Sequence, residues 1–298
     1  MSIRVLAAAA VTLVVAWSAP AVADENLFGY VKGAETLPKG AKELYQWVTV
    51  RDDKGTGEYR AIDSKTEFEY GVTDRFQAAI ALNALAVDTS GLLIDGYLPQ
   101  EKDTGLRLSG LEASFKYNFM SPAKEDVGLS GYATLGYGRL DRHSGQRKSE
   151  YEVETGLLAQ KYFLEGQLTW VANVGVRAGY ADRKAIEGLS EDIEWPTDPE
   201  MEISTKIGTG LAYRFAPSWY VGAELLHEIE YETEVGKERW SLFGGPTLHY
   251  GGQRWWASLT WFQQLRGGGE KYEGQRQDDL HLIEKTRREV RLKVGYNF

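Results

Sequence analysis

The sequence predicts an all-β chain, a closed antiparallel transmembrane β-barrel of about twelve strands, with ten or fourteen as the alternative counts. Three observations lead there. Apolar and polar residues alternate with period two over twelve segments of nine to fifteen residues. Strands of soluble sheets usually run to about 5 or 6 residues, whereas a tilted barrel strand needs roughly 9 to 11 to cross the hydrocarbon. The connections between the segments alternate between short and long, and the chain starts with a segment shaped like an export signal.

Residues 1–23 form that signal. Arg4 ends a short basic start, residues 5–17 are almost wholly apolar, and Ala21 and Ala23 supply the small residues a signal peptidase requires. The apolar run of thirteen residues is short of the roughly 20 needed for a membrane helix. Cleavage after Ala23 would leave a chain of 275 residues and move the formal charge from -9 to -10. Such acidity argues against nucleic acid as a partner, which needs a basic stripe. Cysteine is absent, so burial and hydrogen bonding must stabilise the exported chain without disulfides. Residues 24–42, with Gly33, Pro38 and Gly40, are too irregular for a strand and read as a periplasmic N-terminal arm reaching under the barrel.

The barrel proper spans residues 43–298. Its strands are predicted at 43–51, 62–72, 76–87, 108–119, 127–140, 150–162, 167–180, 201–215, 219–231, 240–250, 255–265 and 286–298. Residues 73–75, 121–126, 164–166, 216–218 and 251–254 are short turns; 52–60, 88–107, 141–149, 181–200, 232–239 and 266–285 are longer loops. Short periplasmic turns and longer outer loops are the sorting of an even-numbered barrel. In 201–215, Ile203, Ile207, Leu211, Tyr213 and Phe215 share one face, and Glu202, Ser204, Lys206, Gly208, Gly210 and Arg214 share the other. Alternation alone also fits a soluble sandwich, and strand length, loop sorting and the signal decide between them. Tyr117, Phe119, Tyr213, Phe215, Trp219, Tyr250, Trp255, Tyr296 and Phe298 stand at strand ends beside the short turns, with Tyr45 and Trp47 expected on the same side. Tyr137, Tyr151, Tyr180, Tyr231 and Trp240 stand at the opposite ends, so the rings read as two interfacial girdles.

The stretch ENLFGYVKGAETLPKG (residues 25–40), followed by the Tyr-Gly-Val-Thr-Asp-Arg turn at 70–75, resembles an uncharacterised family of bacterial outer-membrane barrels. It is more loosely similar to barrels described as candidate outer-membrane transporters. The resemblance extends over most of the mature chain and implies fold and compartment, a cell outer membrane of a Gram-negative bacterium. It carries no substrate and no catalytic residue.

If the apolar set faces lipid, the polar set lines the lumen. Its expected members are Glu67, Glu69, Glu112, Lys116, Glu150, Glu152, Glu154, Arg177, Glu202, Lys206, Arg214, Glu224, Glu228, Arg291 and Lys293. Counted along the predicted strands, acids outnumber bases by twelve to seven, and carboxylate rings favour cations in a pore. The alternative is that opposite charges pair between strands and fill a narrow barrel, since about twelve strands lie between filled eight-stranded barrels and open porins. Glu150, Glu152 and Glu154 at every second position put three carboxylates on one face, either a hydrated wall or a divalent-cation site. Asp141, His143 and Ser144 are the nearest approach to a hydrolase, but adjacent loop residues rarely place a base against its nucleophile. The acidic loop 181–200 reads as solvated outer surface.

The terminal strand, EVRLKVGYNF, is expected to pair with the first. Tyr296 and Phe298 resemble the signal read by the barrel-assembly machinery. The reading is a monomeric narrow channel for small hydrophilic or cationic solutes, in contact with outer-membrane lipid and lipopolysaccharide, and without cofactor, metal or catalytic residues. The alternatives are an outer-membrane hydrolase, phospholipase-like or protease-like, and a structural or surface-binding barrel.

Overall fold

A computed structural model describes residues 26–94, 101–185, 197–232 and 236–298. The expected signal segment lies outside them, as do residues 186–196 of the acidic loop. Twelve strands are described: β1 (Lys42–Asp52), β2 (Thr56–Thr73), β3 (Phe76–Leu93), β4 (Lys102–Met120), β5 (Gly128–Leu140) and β6 (Arg147–Phe163). They continue with β7 (Leu168–Arg183), β8 (Glu200–Ala216), β9 (Trp219–Glu232), β10 (Gly236–Gly251), β11 (Trp255–Gly268) and β12 (Arg288–Asn297). Each pairs antiparallel with its neighbours in sequence. β1 pairs with β12 from Glu43 opposite Asn297 to Asp52 opposite Arg288, which closes the barrel and removes every sheet edge.

Alternation sets the two faces. In β3 the outward Ile80 and Leu82 are 66% and 52% exposed, whereas the inward Ala79 and Ala81 are buried. In β8 the outward Ile203, Ile207 and Leu211 are exposed around the inward Ser204, Gly208 and Gly210. A continuous exposed apolar belt is costly in water and favourable in hydrocarbon, so this surface is built for a bilayer. Its rims carry paired rings: Trp255 against Tyr296 at 4.6 Å and Trp219 against Tyr250 at 5.1 Å near the short turns, and Tyr137 against Tyr151 at 5.3 Å toward the other end.

Tyr45 and Trp47 correct the expected girdle. Tyr45 is 7% exposed and its hydroxyl donates to Glu67 at 2.6 Å, and Trp47 lines the lumen. Their strand positions are in phase with Glu43, Thr49 and Arg51, all buried. The charged members therefore set the phase, and the two rings point inward with them.

Strands β2 to β4 run further than predicted, and the β1–β2 connection shrinks to residues 53–55. Asp53 and Gly55 at φ of 69° and 67° let the chain reverse in that space. The added length shows an inversion of amphipathicity. In the lower part of β2, Glu67 and Glu69 point in while Phe68 and Tyr70 point out; in the upper part, Tyr59 and Ala61 point in while Glu58 and Arg60 point out. Above the belt the wall meets water outside and needs an apolar filling inside. Tyr272, Leu280, Leu282 and Ile283 of the connection 269–287 supply it, packing against Tyr59, Ala61, Leu85, Val87, Leu92, Ile94 and Leu140. Burying each Leu or Ile stabilises this inward fold by about 1.5 to 3 kcal/mol at most.

The N-terminal arm is placed differently from its expected position under the barrel. From the exposed residues 38–40 the arm enters at the short-turn end, and residues 26–37 lie within the wall, with Leu27, Phe28, Val31 and Ala34 all buried. Leu27, Phe28 and Val31 pack on Val171 of β7 and Ala212 of β8. Gly208 and Gly210 make this seat: a Cβ on the first would stand 2.6 Å from Val31, and on the second 2.8 Å from Phe28.

Candidate functional site in the barrel lumen

The floor of the lumen is built from backbone. Gly29, Tyr30 and Val31 donate their three N–H groups, at 2.8, 2.8 and 2.9 Å, to the carboxylate of Glu224 on β9, which also accepts from Thr260 at 3.0 Å. Asn173 on β7 brackets the peptide unit of Lys32, accepting from its N–H at 2.7 Å and donating to its carbonyl at 2.8 Å. Ala34 donates to Gln160 and accepts from Asn118, and Leu37 donates to Gln77. Backbone groups that no ladder satisfies are thus paired one by one by inward side chains, as burial demands. The Arg291 guanidinium stacks between the rings of Tyr30 (3.8 Å) and Trp47 (4.4 Å) and donates to the Gly29 carbonyl at 3.0 Å. Tyr30 itself stacks on Phe262 at 4.1 Å and donates to Glu289 at 2.6 Å.

The roof is ionic. Within the connection 269–287, Lys285 reaches Glu228 at 3.0 Å and Glu230 at 2.6 Å, and Glu284 meets Arg239 at 2.9 Å. On the far side, the 141–146 connection brings His143 to 3.7 Å from Glu284, and Lys54 stands 3.0 Å from the His143 Nδ1. Burial first, then the neighbouring Lys54 and Arg51 cations, hold the His143 imidazole well below its usual range. Burial likewise pushes the Lys54 ammonium down.

Between floor and roof lies a cavity of about 430 Å³. Nine of the expected lumen residues line it: Glu112, Glu150, Glu152, Glu154, Arg177, Glu202, Lys206, Glu228 and Arg291. Glu67, Glu69, Lys116 and Lys293 line a second space of about 50 Å³ nearer the short turns. Glu224 borders neither cavity because the arm covers it, and Arg214 sits half-buried on β8 beside the short turn, also outside both. Tyr296 lies on the lipid-facing rim beside the short turns, and Phe298 follows the last strand, 71% exposed.

Pairing dominates this wall. Lys148 meets Glu150 at 2.6 Å, Arg177 meets Glu152 at 2.7 Å and Lys206 meets Glu154 at 3.0 Å, so each carboxylate of the dense stripe has its own cation. Around the larger cavity twelve carboxylates face eleven Lys and Arg side chains. The acid excess expected from the strands is therefore cancelled by cations the strand reading did not include. Lys32 comes from the arm, Arg142 and Lys285 from loops, and Arg51, Lys148, Arg183 and Arg239 from strand ends. For Arg51 the phase of β1 was a usable signal. For the loop and arm cations the sequence carried none, because their positions depend on how long connections fold.

At residues 141–144, the nearest approach to a hydrolase in the sequence, the geometry gives that alternative no support. Ser144 is buried and its hydroxyl donates to Asp141 at 2.9 Å, while the His143 ring faces Lys54. No nucleophile stands against a base here.

Residues 20–298 match the profile of a family of unknown function, DUF6662. The chain belongs to this family. No curated protein sequence matches this DUF6662 member. Among solved structures it is similar to an outer membrane channel from Pseudomonas putida F1, at a TM-score of 0.54 and 11% identity, over 89% of this chain and 98% of that one. It is less similar to the NanC porin, at a TM-score of 0.47 and 12% identity, over 85% and 98% of the two chains. At such identity the likeness shows the fold alone, and the fold of this DUF6662 member is that of an outer-membrane β-barrel.

Proposed function

We propose that this protein is a narrow outer-membrane channel for small hydrophilic solutes, described here in a closed state. The observation that carries the reading is the charged cavity of about 430 Å³ enclosed between the arm and the inward connection 269–287, inside a barrel with an apolar belt. A barrel that served only as a structural element has no need of a polar interior walled by ion pairs, which cost desolvation to build. The near-balance of charge favours polar and zwitterionic solutes and leaves at most a weak preference for cations. The short-turn end is the periplasmic one and the arm enters from it, whereas the connection 269–287 narrows the outer mouth.

Planar-bilayer recording tests this. The intact protein should show small or rare openings, and cutting the exposed Lys39–Gly40 segment after folding, so that the arm can leave, should raise the conductance at least several-fold. Absence of current from both forms would sink the channel reading and favour a structural or surface-binding barrel.

A further inference from the structure

The seat under the arm recognises peptide backbone, which is unusual for a wall meant only to hold a tail. An apolar tail could be retained by burial alone. Here the wall instead meets the main chain at consecutive residues: Glu224 takes the N–H groups of Gly29, Tyr30 and Val31, Asn173 takes both polar atoms of Lys32, and Gln160 and Asn118 take those of Ala34. Arg291 donates to the Gly29 carbonyl. Glu224 is 1% exposed, and a carboxylate buried to that degree needs such donors. Side chains are read as well: Phe28 fits over Gly210 and Val31 over Gly208, Tyr30 stacks on Phe262 and donates to Glu289, and Gly29 approaches Thr260 so closely that a Cβ there would stand 2.7 Å from its hydroxyl. The wall thus specifies a main chain bent over residues 27–31, so that three successive N–H groups converge on one carboxylate, with an aromatic residue followed by glycine.

We propose that this wall is a binding site for short peptides in the bent form of residues 27–31, filled in the closed state by the protein's own arm, and that peptides with an aromatic-glycine step are solutes the channel admits in its place. The proposal rests on the channel reading for transport, but peptide binding stands apart from it. The arm then acts as an intramolecular competitor. A peptide arriving at the lumen exchanges with it on the same hydrogen-bonding groups, which couples opening to the presence of the solute.

The test uses the full chain, folded and then cut at a protease site placed between Lys39 and Gly40, both exposed. Uptake of fluorescently labelled peptides is followed by anisotropy in detergent micelles. A peptide of residues 24–39 should bind, and the short peptide LFGAVAG, which keeps the main chain and the aromatic-glycine step, should bind within about 30-fold of it. Methylation of the three nitrogens that face Glu224 should weaken binding at least 100-fold, since hydrogen bonds to charged groups are the strong ones. The cut Glu224→Ala barrel should lose affinity for the unmethylated peptide to a similar degree. Equal binding of methylated and unmethylated peptides, or no uptake of any peptide by the cut barrel, would overturn the proposal. Binding without bilayer current leaves the peptide site standing and removes the channel reading. Current without binding does the reverse.

Discussion

Glu224 shows how far one residue's role can lie from its neighbours in sequence. It sits in an ordinary alternating strand, and its partner backbone is 195 residues away at Gly29. Alternation identified it as inward-facing, but nothing local showed that it would hold the arm. Glu224→Ala removes three charge-assisted hydrogen bonds and should weaken arm docking by at least about 3 kcal/mol. Hydrogen exchange at the amides of residues 29–31 should speed up accordingly, and unchanged exchange would show that apolar contacts alone hold the arm. Gly210→Ala attacks the same docking from the other side, because its Cβ would stand 2.8 Å from the Phe28 ring. Overpacking of this kind costs about 1 to 3 kcal/mol, so a smaller rise in exchange is expected. Tyr45 and Trp47 teach the complementary lesson. An aromatic ring suits either a membrane interface or a lumen, and only the charges in phase with it decide which.

At the scale of elements, the terminal strand and the inward connection make separate predictions. β12 closes the barrel, and the Phe298 N–H donates to the Lys42 carbonyl at 3.0 Å while the residue stays exposed. Deleting Phe298 therefore removes little from the finished wall. It should lower the fraction of protein assembled in the membrane several-fold, while the unfolding temperature and conductance of the assembled fraction stay near those of the parent. Equal assembly would remove the idea that this end is an assembly signal.

The connection 269–287 should loosen in acid. His143 is depressed by burial and by the Lys54 and Arg51 cations, and His281, on the connection itself, is pushed down to about 3 by burial and then by Arg239. For groups depressed in the closed form, closure is supported above about pH 6.5 and that support is lost as pH falls toward the depressed values. Glu284 opposes this, since burial raises its carboxyl and protonation suits the closed form. Protonation of the two imidazoles in the open form draws the equilibrium away from closure as pH falls below about 6.5, and the depressed Lys54 ammonium acts in the same direction. Protection of the 269–287 amides relative to their intrinsic exchange rates should fall across that window, and His143→Gln with His281→Gln should flatten the response. A flat profile in the parent protein would refute it.

For the whole molecule, the deciding quantity is the sum of charge around the cavity. Twelve carboxylates against eleven basic groups predict a reversal potential near zero under a salt gradient once the arm is released. Arg177 lies among Glu152, Glu228, Glu230 and Glu202, so Arg177→Ala should turn the same pore cation-selective. Strong cation selectivity in the parent, unchanged by that substitution, would show that ions take a path this cavity does not describe.

The barrel is legible along the chain: twelve strands, their order, the short turns and the lipid-facing stripe. These depend on period-two patterning within one strand and on pairing between consecutive strands, both of which are local along the chain. Most of the polar wall is legible too, since side-chain phase carries through a strand without knowledge of its partners. What fills the lumen follows from contacts distant in sequence. The arm and the connection 269–287 have no repeating pattern, and each is placed by contacts with strands up to 267 residues distant, such as that between Asn26 and Lys293. The same distance hid the charge balance. A cation on a loop or arm counts toward the lumen only where the closed barrel folds it inward, and that depends on a shape the alternation does not encode.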